Sequence, residues 1–142
     1  SGLGCPHWDR AASGLWIGMG LDTTAADLMQ ALLEGIALRA AEVIAAMDEI
    51  APLGPSISID GGLTKNPYLN RFLANALGKT VVVQSSSELT ALGTARLAML
   101  GAGLMALPPL PAPKAKNKPD APVSADLKQK FSTAISRAKN WK

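Results

Sequence analysis

The chain has 142 residues, 48% of them apolar and only 18% charged, which is enough for one domain with one core and excludes a disordered segment. Its net charge of +3 and isoelectric point of about 9.2 are mildly basic, but the basic residues are not gathered with aromatics into one patch, so no nucleic-acid partner is expected. A lone Cys5 and a lone His7 exclude an internal disulfide and a Cys/His zinc set and fit a reduced, cytoplasmic setting, while no apolar run reaches the roughly 18–20 residues of a membrane span and nothing resembles a signal peptide.

Residues 1–22 are rich in glycine and read as loop, with a short apolar piece at 15–19. The opening run Ser1-Gly2-Leu3-Gly4-Cys5-Pro6 has no initiator Met and reads like the middle of a longer protein, so a fragment is expected. Thr24, with Asp27 three residues on, resembles a capping box. From Ala25 to about Ile50 the residues Leu28, Leu32, Ile36, Val43, Met47 and Ile50 keep a helical spacing, widened by Ala31, Gly35 and Ala46. The pattern predicts one long amphipathic helix. Ala51-Pro52-Leu53-Gly54-Pro55 ends it.

Residues 56–60 alternate and are β-branched at Ile57 and Ile59, which predicts a strand. After Gly61-Gly62, Asn66-Pro67 is a helix start, with Asn as the cap and Pro at the first position, where no amide donor is needed. Tyr68, Leu69, Phe72, Leu73, Ala76 and Leu77 form the stripe expected to be buried, and Gly78 the left-handed stop. A second strand is expected at 80–84. A third helix is expected from Glu88 to about Leu100, capped from 85–87 and ended by Gly101 and Gly103. Residues 106–123 hold six of the ten prolines and predict an extended, partly polyproline II linker. Ser124 then caps a last helix to about Asn140, with Leu127, Phe131, Ile135 and Ala138 on one face.

The unit with chemical content is strand, Asp60-Gly61-Gly62, short loop, Asn66-capped helix. Two glycines after a strand let the backbone turn sharply and approach a flat ligand, because no Cβ stands in the way. The helix behind them is expected to present free amide donors and a positive dipole end. A purine or ribose fits such a surface, but the plainer readings are equally physical. Asp60 can serve only to bond turn amides, Asn66 only to cap its helix, and Gly93 only to pack a helix closely. The P-loop and dinucleotide fingerprints are absent from the sequence, and no Ser/His/Asp or Cys/His set can be assembled from it.

The run Ile59-Asp60-Gly61-Gly62-Leu63-Thr64-Lys65-Asn66-Pro67-Tyr68-Leu69, followed by Leu77-Gly78 and by Thr90-Ala91-Leu92-Gly93-Thr94-Ala95, resembles in order and spacing the C-terminal domain of the FGGY carbohydrate kinase family. Gly2-Leu3-Gly4-Cys5-Pro6-His7-Trp8-Asp9, Leu33-Glu34-Gly35-Ile36-Ala37 and the closing Ala134-Ile135-Ser136-Arg137-Ala138-Lys139-Asn140-Trp141 are similar to further family segments. The first and last of these look most like the family's glycerol kinases. Xylulokinases also carry Pro-His-Trp-Asp.

The resemblance implies an α/β, ribonuclease H-like (actin-like ATPase) fold in two domains, of which this chain is part of the C-terminal one. On this reading residues 1–105 form the partial domain, 106–123 the linker, and 124–142 a helix packing back on it. It implies ATP as cofactor, with Gly61, Gly62 and Asn66 toward adenosine. It also implies a small polyol or sugar as substrate and the N-terminal part of the same protein as partner. The catalytic Asp, the phosphate loops and the Mg²⁺ carboxylate are expected outside this chain, which carries no catalytic and no metal residue of its own. A non-catalytic nucleotide- or protein-binding module, and a helical scaffold docking through residues 108–113, remain the alternatives. A homo-oligomer is left open.

Overall fold

The computed structural model describes residues 2–86, 88–104 and 106–141. Helix α1 runs over Ala25–Ile50, strand β1 over Ser56–Ile59, a 3-10 turn over Gly62–Lys65 and helix α2 over Pro67–Leu77. Strand β2 (Thr80–Val83), helix α3 (Leu89–Gly101), strand β3 (Ala115–Asn117) and helix α4 (Ala125–Ala138) complete the order. The sheet has the order β1-β2-β3. β1 and β2 are parallel, with Ser56 beside Thr80 and Ile59 beside Val83, and α2 is the crossover between them. β3 lies antiparallel on the other side of β2, with Val83 beside Ala115.

β3 lies inside the proline-rich stretch, where the sequence predicts only extended or polyproline II chain. Its three residues, Ala-Lys-Asn, show no alternation and have low strand propensity. A short edge strand carrying Lys needs neither, because one of its sides is not paired and its partner β2 sets its register.

The caps are where local chemistry places them. Thr24 Oγ1 accepts from the Asp27 amide at 3.3 Å while Asp27 Oδ2 accepts from the Thr24 amide at 2.8 Å, closing the capping box. Gly78 ends α2 with φ of +63°. Ser124 Oγ accepts from the Leu127 amide at 3.2 Å to start α4. At α3 the capping position is Glu88, whose own side chain makes no cap bond. Ser86 Oγ accepts from the Glu88 amide, and Ser87 lies outside the described residues.

The core gathers Ala37 from α1, Leu69, Leu73 and Ala74 from α2, and Val81 and Val83 from β2. Leu33, Ala40, Ile59, Phe72 and Leu77 pack against it. α1 therefore turns Leu33, Ala37 and Ala40 inward, whereas Leu32, Met47 and Ile50 of the predicted stripe are exposed. α1 is apolar on more than one side, and the side facing α2 carries Leu33 with Ala37 and Ala40, the small residues letting the two helices approach closely. Tyr68 adds a polar clamp between them. Its hydroxyl donates to Glu34, which also accepts from Gln30 Nε2 at 2.7 Å. Burial, followed by the neighbouring Glu34 carboxylate, pushes the Tyr68 hydroxyl up to about 12.

The Gly-rich start is ordered by backbone approach. Leu3 and Asp9 exchange amide bonds of 2.7 and 2.9 Å. A Cβ on Gly2, at φ of +94°, would stand 2.5 Å from the Asp9 carbonyl oxygen, so only glycine fits there. Arg39 of α1 donates to the Cys5 carbonyl at 2.9 Å. The Asp9 carboxylate accepts from the Ala11 amide and, across the fold, from the Asn140 amide, each at 2.8 Å. Ser13 adds a backbone bond to Ala138 at 3.2 Å. The first segment is thus clasped to the end of α4, whose Ile135 and Ala138 are buried. Among the described residues no helix is long and apolar enough to cross a membrane.

The Asn140 amide, foremost, holds the Asp9 carboxyl below its ordinary value of 3.8. A carboxyl depressed in the folded state stabilises the fold above its unfolded value and loses that contribution as pH falls through the folded one. Asp9→Ala is therefore expected to lower the thermal midpoint at pH 7, with the gap from wild type closing in acid. Melts from pH 7 to about pH 2 test this; a gap that stays constant would show that the carboxylate charge has no part in the clasp.

Candidate functional site

The candidate residues share one turn. β1 ends at Ile59, and the chain reverses through Asp60 and Gly61 into the 3-10 turn. Gly61 sits at φ of 95° and ψ of 177°, a region essentially closed to side chains. Gly62 has no such backbone constraint. A Cβ on either glycine would meet no atom within 4 Å. At Gly62 the missing side chain therefore leaves open space in front of the turn, and the glycine is not explained by packing. The turn lies at the carboxyl ends of two parallel strands, where open α/β sheets bind ligands.

Three bonds fix its shape. The Gly61 carbonyl accepts from the Thr64 hydroxyl at 2.7 Å and from the Thr64 amide at 3.2 Å. The Asn66 amide donates to the Leu63 carbonyl at 3.1 Å. Asn66 then caps α2, its Oδ1 accepting from the Tyr68 and Leu69 amides at 3.0 and 3.2 Å.

This cap changes what the helix end can offer. Pro67 has no amide hydrogen, Tyr68 and Leu69 donate to Asn66 Oδ1, and the Asn70 amide donates to the Asn66 carbonyl at 3.2 Å. The first turn of α2 therefore has no spare donor, contrary to the free amides expected from sequence. Such an end is a poor phosphate cradle, because a phosphate needs those amides. What it presents is Asn66 Nδ2, turned away from the capped amides and without a partner among the described residues. A single carboxamide donor beside an open glycine suits a neutral, hydrogen-bonding ligand surface.

Asp60 is exposed and makes no hydrogen bond among the described residues, so it does not bond turn amides. The Cβ direction at Gly93 is open within 4 Å, so close helix packing does not explain that glycine either. Among the described residues no three His, Cys, Asp or Glu side chains come together as a metal site requires.

Thr64 and Asn70 are the residues that sequence reasoning missed. Asn70 Nδ2 donates to the Thr64 carbonyl at 2.8 Å, tying the body of α2 to the turn. The available signal was spacing, since Asn70 lies four residues after Asn66 and so on the same helix face. An open pocket of about 150 Å³ lies between the turn and α1, with Asp60, Thr64 and Asn70 among its walls. A larger groove of about 330 Å³ lies between α1, α2 and α4. There Lys79 is already committed to Asp48 at 3.6 Å and to the Leu53 and Gly54 carbonyls at 3.3 Å. Glu42, Asp48, Lys79 and Lys128 also line this groove.

The sequence profile of the FGGY family of carbohydrate kinases, C-terminal domain, matches residues 1–102. The chain belongs to this family. A glycerol kinase of Thermus brockianus is 38% identical over 147 residues, covering 99% of this chain and 30% of the relative. One from Dechloromonas aromatica is 44% identical over 106 residues, covering 72% of this chain and 21% of the relative. Among solved structures, Plasmodium falciparum glycerol kinase with ADP superposes at a TM-score of 0.78 and 25% identity, over 97% of this chain and 29% of that one. The xylulose kinase of Rhodospirillum rubrum follows at 0.70 and 27% identity, over 89% of this chain and 26% of that one. This FGGY chain thus spans about 30% of the length of the first relatives it matches. Its mixed α/β architecture is that of part of the C-terminal domain in the actin-like fold of these sugar kinases.

The two glycines separate backbone strain from ligand access. Gly61→Ala is expected to cost about 1–3 kcal/mol of stability although its Cβ meets nothing. Gly62→Ala is expected to stay within about 0.5 kcal/mol of wild type, as a surface change without strain does. Urea unfolding of both variants checks the pair. Equal stability losses would refute the division of roles.

Proposed function

We propose that this chain is the adenosine-facing part of an ATP-dependent polyol kinase acting on glycerol, and that residues 1–105 form the nucleotide-side unit against which 124–142 pack. The saturated first turn of α2 beside an open Gly62 carries the reading. A helix end without spare amides suits the neutral nucleoside better than the phosphates, and Asn66 Nδ2 remains to donate to it. Gly61 shapes the turn, Gly62 admits the ligand and Asn66 donates. Glycerol as acceptor is favoured by the glycerol kinases at 36–44% identity. A ketose such as xylulose is the second reading, favoured by the likeness to a xylulose kinase.

Phosphoryl transfer needs a positioned base and charge neutralisation around the γ-phosphate. Mg²⁺ would supply part of that neutralisation, but it needs carboxylate oxygens gathered with phosphate oxygens. The chain spans about 30% of the length of the first relatives it matches. We assign the base, the metal carboxylate and the acceptor site to sequence beyond these 142 residues, in a cytoplasmic enzyme.

In a coupled ADP-release assay, the full-length polypeptide is expected to turn over glycerol with ATP and Mg²⁺, whereas residues 1–142 alone show no substrate-dependent turnover. Activity on xylulose but not glycerol would shift the acceptor to a ketose. A full-length protein inactive on a panel of polyols and ketoses would overturn the kinase reading, and turnover by residues 1–142 alone would overturn the division of labour.

A further inference from the structure

Asn70 is 6% exposed and is the buried polar residue of the core region among the described residues. It occupies the inward side of α2 between Leu69 and Leu73, both in the core cluster. Asn is a poor interior helix residue, and Leu there would extend the apolar stripe. The carboxamide is also only half satisfied. Nδ2 donates to the Thr64 carbonyl at 2.8 Å, but Oδ1 is buried without a partner among the described residues. Flipping the amide does not help, because it would set oxygen against the Thr64 carbonyl oxygen. An unpaired buried acceptor opposes folding. A position that breaks both helix propensity and polar satisfaction points to a function carried elsewhere.

That function is the turn. Thr64 is wound onto the Gly61 carbonyl by its hydroxyl and its amide, and its own carbonyl is the atom Asn70 holds. Among the described residues this is the one side-chain bond from the body of α2 to the turn. Beside it lies an open pocket of about 150 Å³ lined by Leu63, Thr64 and Asn70 with residues of α1. Without the tether, the Thr64 carbonyl loses that hold on the body of α2, and the turn that carries Gly62 is free to shift toward this space.

We infer that Asn70 is a positioning residue for the nucleotide site, holding the 3-10 turn in the geometry that presents Gly62 and Asn66. This rests on the adenosine reading of the turn, and the test separates the two. Three variants of the full-length kinase are compared for ATP kinetics and thermal midpoint: Asn66→Ala, Asn70→Leu and Asn70→Ala. Asn70→Leu is expected to raise the KM for ATP about 3- to 10-fold, as the loss of one hydrogen bond's alignment does, with kcat within about twofold. Its thermal midpoint should be held or raised, because the orphaned acceptor is gone. Asn70→Ala adds no volume and gives the same kinetic readout should leucine overfill the site. A lowered midpoint with unchanged KM for ATP in either Asn70 variant, while Asn66→Ala raises that KM, would make Asn70 purely structural and leave the adenosine site standing. An unchanged KM in all three would overturn the adenosine site, and the positioning role with it.

Discussion

The packing of α1 against α2 through alanine is the constraint on which the other features rest. Ala37 and Ala74 are 1% and 0% exposed, and Val81 beneath them is also at 0%. Side chains this small let the two helices approach closely. α2 is held between α1 and β2, so its N-terminus, and the turn it carries, have one position relative to the sheet. The Tyr68–Glu34 bond sets the angle at the same end of the helix. Glu34 belongs to the Leu33–Ala37 segment that resembles the family, and its role here is to anchor the helix that bears the turn.

The turn commits its polar groups largely to its own structure. Asn66 Oδ1 is fully engaged as a cap, and only Nδ2 is left to face outward. The same carboxamide caps the helix and keeps its Nδ2 donor unused among the described residues, so capping does not exclude a second role. The helix dipole is present, but without free amides it acts only as a diffuse field, and a diffuse field does not grip a phosphate. Thr64 and Asn70 brace the turn, Thr64 bonding to the Gly61 carbonyl and Asn70 to the Thr64 carbonyl.

The far ends of the chain meet through Asp9. Its carboxylate joins the first segment to the end of α4 at Asn140, and the strictly glycine conformation at Gly2 lets the Leu3–Asp9 bridge close. Two segments that resemble the family at opposite ends of the sequence are thus one structural device. No local rule connects them, because the bond spans 131 residues of sequence separation.

Local chemistry determined a good deal. Thr24, Asn66, Pro67, Gly78 and Ser124 placed the helix boundaries because capping is settled within four residues of chain. The alternation of Ile57 and Ile59 and the valines of β2 marked the parallel strands, and Gly61-Gly62 before Asn66 marked the turn. Tertiary structure decided the rest. α1 is apolar on several sides, so its inward face was chosen by what could approach it closely, and alanine won over the longer Leu32 and Met47. β3 has no pattern of its own and exists because β2 offers an edge. The burial of Asn70 shows only in the folded chain, and the availability of helix amides depends on which of Asn66's two polar atoms faces inward. Each of these depends on which groups far apart in sequence come within a few ångströms, and a sequence pattern holds only the near neighbours.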